Sequence, residues 1–375
     1  MLKVMTVVGT RPELIKMSRV IAAFDDNTNH ILVHTGQNYD YELNQVFFDD
    51  LAIRKPDYFL DAAADTVAGS IANIIAKSDE VFAKESPDAL LLYGDTNSCL
   101  CVMSAKRRKI PIFHMEAGNR CFDQRVPEEI NRKVVDHLSD VNLVLSEHAR
   151  RYLLNEAFPA DRLIKTGSHM PEVLNHFAPS IAQSDILGKL SLTPKEFLLV
   201  SVHREENVDS ERHLQLLLAG LRLTHQRFGV PVVVSTHPRT QQRLEALGIE
   251  QEVGIQFLKP FGFFDYIKLQ MSAMCVLSDS GTITEEAMLL GFPAVTMRQA
   301  HERPEGMDEA VVIMCGIEPD DLIRAIEIVI RQNCEPKLKP RIIGDYQSEN
   351  VSEKILRIVH SYVHYVNRVV WSKSE

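Results

Sequence analysis

The polar residues of this 375-residue chain that could do chemistry stand where short apolar runs stop. Val8 leads into Gly9-Thr10-Arg11-Pro12-Glu13, Tyr93 into Gly94-Asp95-Thr96-Asn97, and Phe113 into His114-Met115-Glu116-Ala117-Gly118. Further along, Val202 leads into His203-Arg204-Glu205, Ser235 into Thr236-His237-Pro238-Arg239, and Leu277 into Ser278-Asp279-Ser280-Gly281-Thr282. One such strand end is ordinarily turn or capping chemistry. Six of them, spread over both halves, point to a ligand site built at the carboxyl ends of strands, where open parallel sheets bind ligands.

Each group also has a plainer role. Thr10 followed by Glu13 is a capping box, which would make the whole turn structural. Capping gives Arg11 no task, so Arg11 stands out. Ser280-Gly281 opening a helix suits a tight turn, and it also presents free N–H groups and the positive dipole end to a phosphate. Glu285 and Glu286 are about 100° apart on a helix, so only one of them can face a site. Glu128 and Glu129 share that geometry at a helix start, where acidic residues favour the dipole anyway. His203 is a candidate acid, base or phosphate donor, against the alternative of a structural histidine.

The elements that must hold these residues alternate. Val4–Val8, Ile31–His34, Ala89–Tyr93, Ile110–Phe113 and Val141–Leu145 are mostly continuous apolar runs, as expected of strands buried on both faces of a parallel sheet. Helical patterns at Glu13–Phe24, Thr66–Lys84 and Glu128–Leu138 lie between them. The alternation pauses at Ser168–Leu192, around Pro171 and Pro179, and restarts with Phe197–Val202, Pro231–Ser235, Cys275–Leu277 and Ala294–Met297. This is an α/β chain of two doubly wound domains, with a boundary near residue 170. From Glu353 to Val370 the apolar residues follow one helix face. That helix packs either on its own domain or back across the first.

Composition narrows the class. Hydrophobic residues at 45% and charged residues at 25% are enough for a sizeable core. A formal charge of −10 argues against nucleic acid as a partner, while leaving room for a small anion held by local cations. The six cysteines, at 99, 101, 121, 275, 315 and 334, form no C-x-x-C pair, so neither a zinc knuckle nor a disulfide framework is expected. No signal-peptide pattern and no apolar run of about 18 residues occurs, so a cytoplasmic protein with no membrane partner is expected. G-x-G-x-x-G, G-x-x-x-x-G-K-[ST], H-E-x-x-H and G-x-S-x-G are all absent. Nicotinamide, P-loop, metal and hydrolase-triad chemistry are therefore unsupported, and no cofactor is expected.

Together, these strings resemble a known family. Gly9-Thr10-Arg11-Pro12-Glu13 with Lys16, Gly94-Asp95-Thr96, His114-Met115-Glu116-Ala117-Gly118, Pro127-Glu128-Glu129 with Asn131-Arg132, His203-Arg204-Glu205, Ser278-Asp279-Ser280-Gly281 with Glu285-Glu286, and Glu302-Arg303-Pro304-Glu305 occur in that order. They are similar to the non-hydrolysing UDP-N-acetylglucosamine 2-epimerases. The resemblance implies a GT-B type fold of two Rossmann-like, doubly wound parallel-sheet domains, with the site in the cleft between them. The domains would be 1–169 and 170–350, with a terminal helix over 352–371 returning to the first, and the protein would be a homodimer. Asp95, Glu116, Glu128 and His203 match the family's catalytic positions. Arg11, Lys16, His203, Ser280, Gly281 and Glu286 match its UDP-binding positions.

Finer strings resemble one branch. Ala117-Gly118-Asn119-Arg120-Cys121-Phe122-Asp123-Gln124-Arg125, His203-Arg204-Glu205-Glu206-Asn207-Val208-Asp209, Gly36-Gln37-Asn38-Tyr39-Asp40-Tyr41-Glu42 and the tail Ile358-Val359-His360-Ser361-Tyr362 look like the enzymes that make UDP-N-acetyl-L-fucosamine. They imply UDP-2-acetamido-2,6-dideoxy-L-talose as substrate, with the product feeding capsule and O-antigen lipopolysaccharide synthesis. UDP-N-acetylglucosamine is the alternative substrate. A GT-B glycosyltransferase, a hydrolysing epimerase and a non-catalytic UDP-sugar binder are the alternative functions. Gln37 and its neighbours are the expected place of any second, activating substrate site.

Overall fold

The computed structural model describes residues 1–36, 48, 50–202, 204–208, 210–249, 252–299, 303–334 and 342–373. They divide into two compact units. One comprises Met1–Asn175 with Asp345–Glu375, and the other His176–Gly344.

The first unit is built on seven strands: β1 (Lys3–Val8), β2 (Asn29–His34), β3 (Tyr58–Phe59), β4 (Ala89–Tyr93), β5 (Ile112–Met115), β6 (Val141–Val144) and β7 (Leu163–Lys165). They form one parallel sheet in the order β3-β2-β1-β4-β5-β6-β7. Its helices include α1 (Arg11–Asn27), α2 (Val67–Glu85), α3 (Val102–Arg107), α4 (Pro127–Leu138) and α5 (Glu147–Asn155). The central strands read as unbroken apolar runs because both faces are covered, and Leu90, Leu91, Leu92, Ile112 and Phe113 are all fully buried. Strand order reverses between β1 and β4. That places the topological switch point, and hence the expected ligand crevice, at the Gly9 and Gly94 turns.

The division between the units falls inside α6 (Met170–Gln183). Here the structure corrects an expectation. The pause predicted over Ser168–Leu192 holds this 14-residue helix, which has Pro179 inside it. Pro171 sits in the first turn, where its missing N–H has no intrahelical partner to lose, so only Pro179 opposes the helix. Burial of Val173, Leu174, Phe177 and Ile181 offsets that single penalty.

The second unit carries β8 (Leu198–Ser201), β9 (Val232–Ser235), β10 (Ile255–Leu258), β11 (Cys275–Ser278), β12 (Ala294–Thr296) and β13 (Ile313–Met314). The order is β10-β9-β8-β11-β12-β13, again wholly parallel. Its helices are α7 (Ile186–Lys189), α8 (Glu205–Val208), α9 (Glu211–Phe228), α10 (Pro238–Ala246), α11 (Phe263–Ser272), α12 (Ile283–Leu290), α13 (Pro304–Asp308) and α14 (Pro319–Cys334). The reversal lies between β8 and β11, next to the Ser278–Gly281 turn. The core gathers α9 and α14 over the strands through Leu214, Leu218, Leu221, Leu322 and Ile326.

The terminal helix α15 (Val351–Val369) belongs to the first unit and packs along α1. Its buried residues Val351, Ile355, Val359, Val363 and Val366 repeat every three to four positions, as one apolar face requires. The Glu172 carboxylate receives the Ser352 N–H at 2.9 Å, anchoring the first turn. No described helix is long and apolar enough to cross a membrane.

Candidate active site

In the first unit, β4 and β5 deliver two carboxylates side by side. Their register sets Tyr93 against Met115, and Gly94 N–H donates to the Met115 carbonyl at 3.0 Å. Asp95 and Glu116 therefore leave adjacent strands at the same level. Glu116 adopts a left-handed backbone with φ of 62°, a conformation a non-glycine residue seldom takes, and this ends the strand abruptly at the carboxylate.

Asp95 is clamped by α4. Arg132 donates to its Oδ2 from Nε at 3.0 Å and from Nη2 at 2.7 Å. Asn131, one position earlier, donates to the Asp95 carbonyl and to Asn97 Oδ1, both at 3.0 Å. The same helix begins with the two glutamates. Glu129 is fully buried and accepts from the Cys121 N–H at 3.0 Å and Arg132 Nη1 at 3.1 Å. Burial opposes its ionisation, but these donors outweigh that and hold its carboxyl below the usual range. Glu129 is thus committed to structure, while Glu128 is only partly buried at the helix start.

Glu116 Oε2 accepts from Lys16 Nζ at 3.2 Å and from the Tyr93 hydroxyl. Lys16, expected to face phosphate, is therefore also the counter-charge of a candidate acid–base group. Beneath the two turns lies a buried charged chain. His114 stands between the Gly94 carbonyl, 2.7 Å from Nε2, and Asp136 Oδ1, 2.9 Å from Nδ1. Arg120 donates to Asp136 Oδ2 at 2.7 Å and, through Nε and Nη2, to both oxygens of Glu156. Burial alone would raise the Asp136 carboxyl. Hydrogen bonds and charge from His114 and Arg120 reverse that and lower it. The chain fixes the backbone on either side of Asp95 and Glu116.

The turn after β1 is held from inside. Glu13 Oε2 accepts from the Gly9 and Thr10 N–H groups at 2.6 and 2.7 Å, and Oε1 accepts from the Thr96 hydroxyl at 2.6 Å. Burial pushes the Glu13 carboxyl up, and these bonds offset it only in part. Glu13 thereby ties the Arg11 turn to the residue after Asp95. Gly9 has to be glycine here, since a Cβ would meet Ser98 Oγ at 1.8 Å.

In the second unit hydroxyl groups stand at the end of β11. Ser280 and Gly281 lie between β11 and α12, with Ser280 Oγ 3.0 Å from Thr282 Oγ1. Of the paired glutamates, Glu285 is fully buried and lies 3.7 Å from Arg303, whereas Glu286 is half-buried and accepts from Gln270 Nε2 at 2.6 Å. Asp279, fully buried, accepts from the Arg204 N–H at 2.9 Å and Asn207 Nδ2 at 3.1 Å, so it holds the β8–α8 turn. Of the predicted residues, His203, Gln37 with the 38–42 string, Asp209 and Glu302 lie outside the described residues.

The structure thus gathers Asp95, Glu116 and Lys16 in the first unit, and Ser280, Gly281 and Glu286 in the second. Arg11 opens α1 beside the first group. Reading the residues in order gave no role to Tyr93, His114, Arg120, Arg132, Asp136 or His169. For Arg132 a signal existed, since it lies one turn beyond Glu128 and Glu129. For the others, only the folded sheet brings the partners together.

Two sheets in Rossmann order, each with polar residues at its switch point, define an α/β nucleotide-binding protein of the GT-B type. Phytolacca americana UGT2, solved with UDP-2fluoro-glucose and pterostilbene, shares the fold at a TM-score of 0.57 and 14% identity. The family model for UDP-N-acetylglucosamine 2-epimerase matches residues 22–360, and the chain belongs to that family. It is accordingly an isomerase, a UDP-sugar 2-epimerase. A structure of UDP-N-acetylglucosamine 2-epimerase from Rickettsia bellii is 57% identical, with a TM-score of 0.92 over 100% of both chains. The Methanocaldococcus jannaschii UDP-GlcNAc 2-epimerase in complex with UDP-GlcNAc and UDP is 29% identical, with a TM-score of 0.89 over 96% of this chain and 100% of that one. The UDP-2,3-diacetamido-2,3-dideoxy-D-glucuronate 2-epimerase of Pseudomonas aeruginosa is 34% identical over 86% of this chain and 91% of its own.

Proposed function

We propose that this epimerase interconverts UDP-2-acetamido-2,6-dideoxy-L-talose and UDP-N-acetyl-L-fucosamine, in the cytoplasm and as a homodimer, for capsule or O-antigen synthesis. The observation that carries the substrate reading is the Ala117–Arg125 segment, whose string resembles that branch and which leaves Glu116 directly. Arg120 is locked into the charged chain below the site, and Phe122 stands 66% exposed with its N–H on Glu129 at 3.3 Å. The segment that carries the branch's string therefore runs straight from a candidate catalytic carboxylate into the charged chain below it.

The C2 proton of such a sugar has no adjacent carbonyl to acidify it, so simple deprotonation is too slow. Elimination avoids the problem. A base takes the C2 proton as UDP leaves C1, giving a glycal, and UDP adds back as a proton arrives on the opposite face of C2. Asp95, Glu116, Glu128 and His203 are the acid–base groups of this scheme. Arg11, Lys16 and His203 offset the charge of the leaving UDP. Ser280 and Gly281 hold phosphate at the start of α12, and Glu286 reaches the ribose hydroxyls. The P. aeruginosa relative, named for a different 2-acetamido sugar, fits a family whose members differ in the sugar.

A second reading keeps the mechanism and takes UDP-N-acetylglucosamine as substrate; the name of the 57%-identical R. bellii protein favours it. Proton NMR of the protein in D₂O separates the two. The expected result with UDP-N-acetyl-L-fucosamine is loss of the C2 proton signal and appearance of the talo epimer. Exchange confined to UDP-N-acetylglucosamine would transfer the assignment to the second reading.

A further inference from the structure

Behind Glu116 lies a buried pair of titratable groups that the elimination scheme does not use. Tyr93, 3% exposed at the end of β4, donates its hydroxyl to Glu116 Oε2. On its other side the Tyr93 oxygen lies 3.3 Å from His169 Nε2, and His169 is 1% exposed. The two rings meet edge to face at 5.0 Å, which fixes the imidazole relative to the phenol. Lys16 Nζ stands 5.1 Å over the Tyr93 ring while donating to the same carboxylate oxygen. With the imidazole proton on Nδ1, the buried Tyr93 hydroxyl stands between two acceptors, the Glu116 carboxylate and Nε2 of His169, and can donate to either.

We propose that Tyr93 and His169 form a reversible proton-holding chain that lets Glu116 exist in both protonation states during epimerisation. With Glu116 ionised, the Tyr93 O–H donates to the carboxylate. When Glu116 has taken a proton, it becomes a donor, and a fixed donor facing it would repel that state. A phenol removes the conflict by turning. The Glu116 O–H donates to the Tyr93 oxygen, and the Tyr93 O–H donates to the unprotonated Nε2 of His169. Passing both protons along these bonds leaves Glu116 ionised, Tyr93 neutral and His169 protonated, so one proton has moved from Glu116 to His169 and none is gained or lost. The reverse passage returns it. Tyr93 and His169 thus act through Glu116, as positioning residues, and the inference rests on Glu116 taking part in acid–base catalysis.

The test is steady-state kinetics of wild type, Tyr93→Phe, His169→Leu and the double variant on the UDP-sugar that wild type epimerises. Tyr93→Phe keeps the ring and removes only the hydroxyl. The expected result is a loss in kcat of about 10-fold or more with KM within about 2-fold, since the chain serves proton transfer and not binding. Either break interrupts the same chain, so the double variant should lose no more than the worse single one. A Tyr93→Phe enzyme with wild-type kcat, or single losses that multiply in the double variant, would overturn the chain. Should His169→Leu fail to fold, Tyr93→Phe alone decides the matter. A wild-type protein that exchanges no C2 proton with either UDP-sugar removes the functional reading and this inference together, whereas an active wild type with an unaffected Tyr93→Phe removes only the inference.

Discussion

The two switch points of the molecule are built alike and furnished differently. At the first, Asp95 and Glu116 are held by Arg132, Lys16 and Tyr93, above the buried chain His114–Asp136–Arg120–Glu156. At the second, hydroxyl and backbone groups at Ser280 and Gly281 precede α12, and the buried carboxylate Asp279 takes a backbone N–H and an amide. Sheet order is the same in both, so fold does not set the difference. Proton transfer needs ionisable groups with fixed neighbours, because neighbours set pKa. Holding a phosphate needs N–H groups and a helix dipole, which cost no buried charge. The contrast fits the proposal that acid–base chemistry lies in the first unit and nucleotide grip in the second.

Substitution at the two sites should separate these tasks. Asp95→Asn and Glu116→Gln are each expected to lower kcat by about 100-fold or more. Ser280→Ala and Glu286→Gln should instead raise KM, by about 10-fold, with kcat nearly kept. Steady-state kinetics on the substrate identified by NMR reads both. A kcat loss as large at Ser280 as at Glu116 would break the division of labour.

The stability contrast is next in size. Asp136→Asn leaves His114 and Arg120 without their shared counter-charge in the core, and a loss of about 3–5 kcal/mol is expected. Asp279→Asn keeps an acceptor for the Arg204 N–H and should cost only about 1–3 kcal/mol. Urea unfolding followed by circular dichroism compares the two. Equal losses would mean that the charged chain below Asp95 and Glu116 is no more integrated than the turn holding α8.

The last contrast is a pH dependence that originates in the first unit. His34, stacked on Phe59 at 5.2 Å, is buried, and burial lowers its pKa from 6.5 to about 4. The folded state therefore prefers the neutral ring. The stability this contributes is complete above pH 6.5 and is lost as pH falls toward about 4, because the unfolded chain takes up the proton first. Replacing His34 with Phe should flatten the urea midpoint across that window. An unchanged slope would show that His34 is not the group responsible.

Much of this architecture could be read from residues in order. The strands at Ala89–Tyr93 and Val141–Val144 and the helices α1, α2, α4 and α15 fall within a few residues of their predicted spans, because period and burial speak locally. The edge strands β3, β7, β10 and β13 were not legible. They have two to four residues and exist through pairing with a neighbour already in place. The helix across Pro179 was hidden too, since its stabilising contacts lie far along the chain.

By itself, then, the amino-acid sequence determined two α/β halves, their strand-end polar residues, and the fact that only one member of each Glu128–Glu129 and Glu285–Glu286 pair could face a site. Tertiary structure decided which member. Glu129 and Glu285 are the fully buried ones, Glu129 taking the Cys121 N–H and Glu285 lying beside Arg303. It also decided that Lys16 reaches across 100 positions to Glu116, and that Tyr93 meets His169 over 76. Helix and strand periods are written in neighbouring residues, whereas the partner of a buried charge is set only when the sheet closes over it.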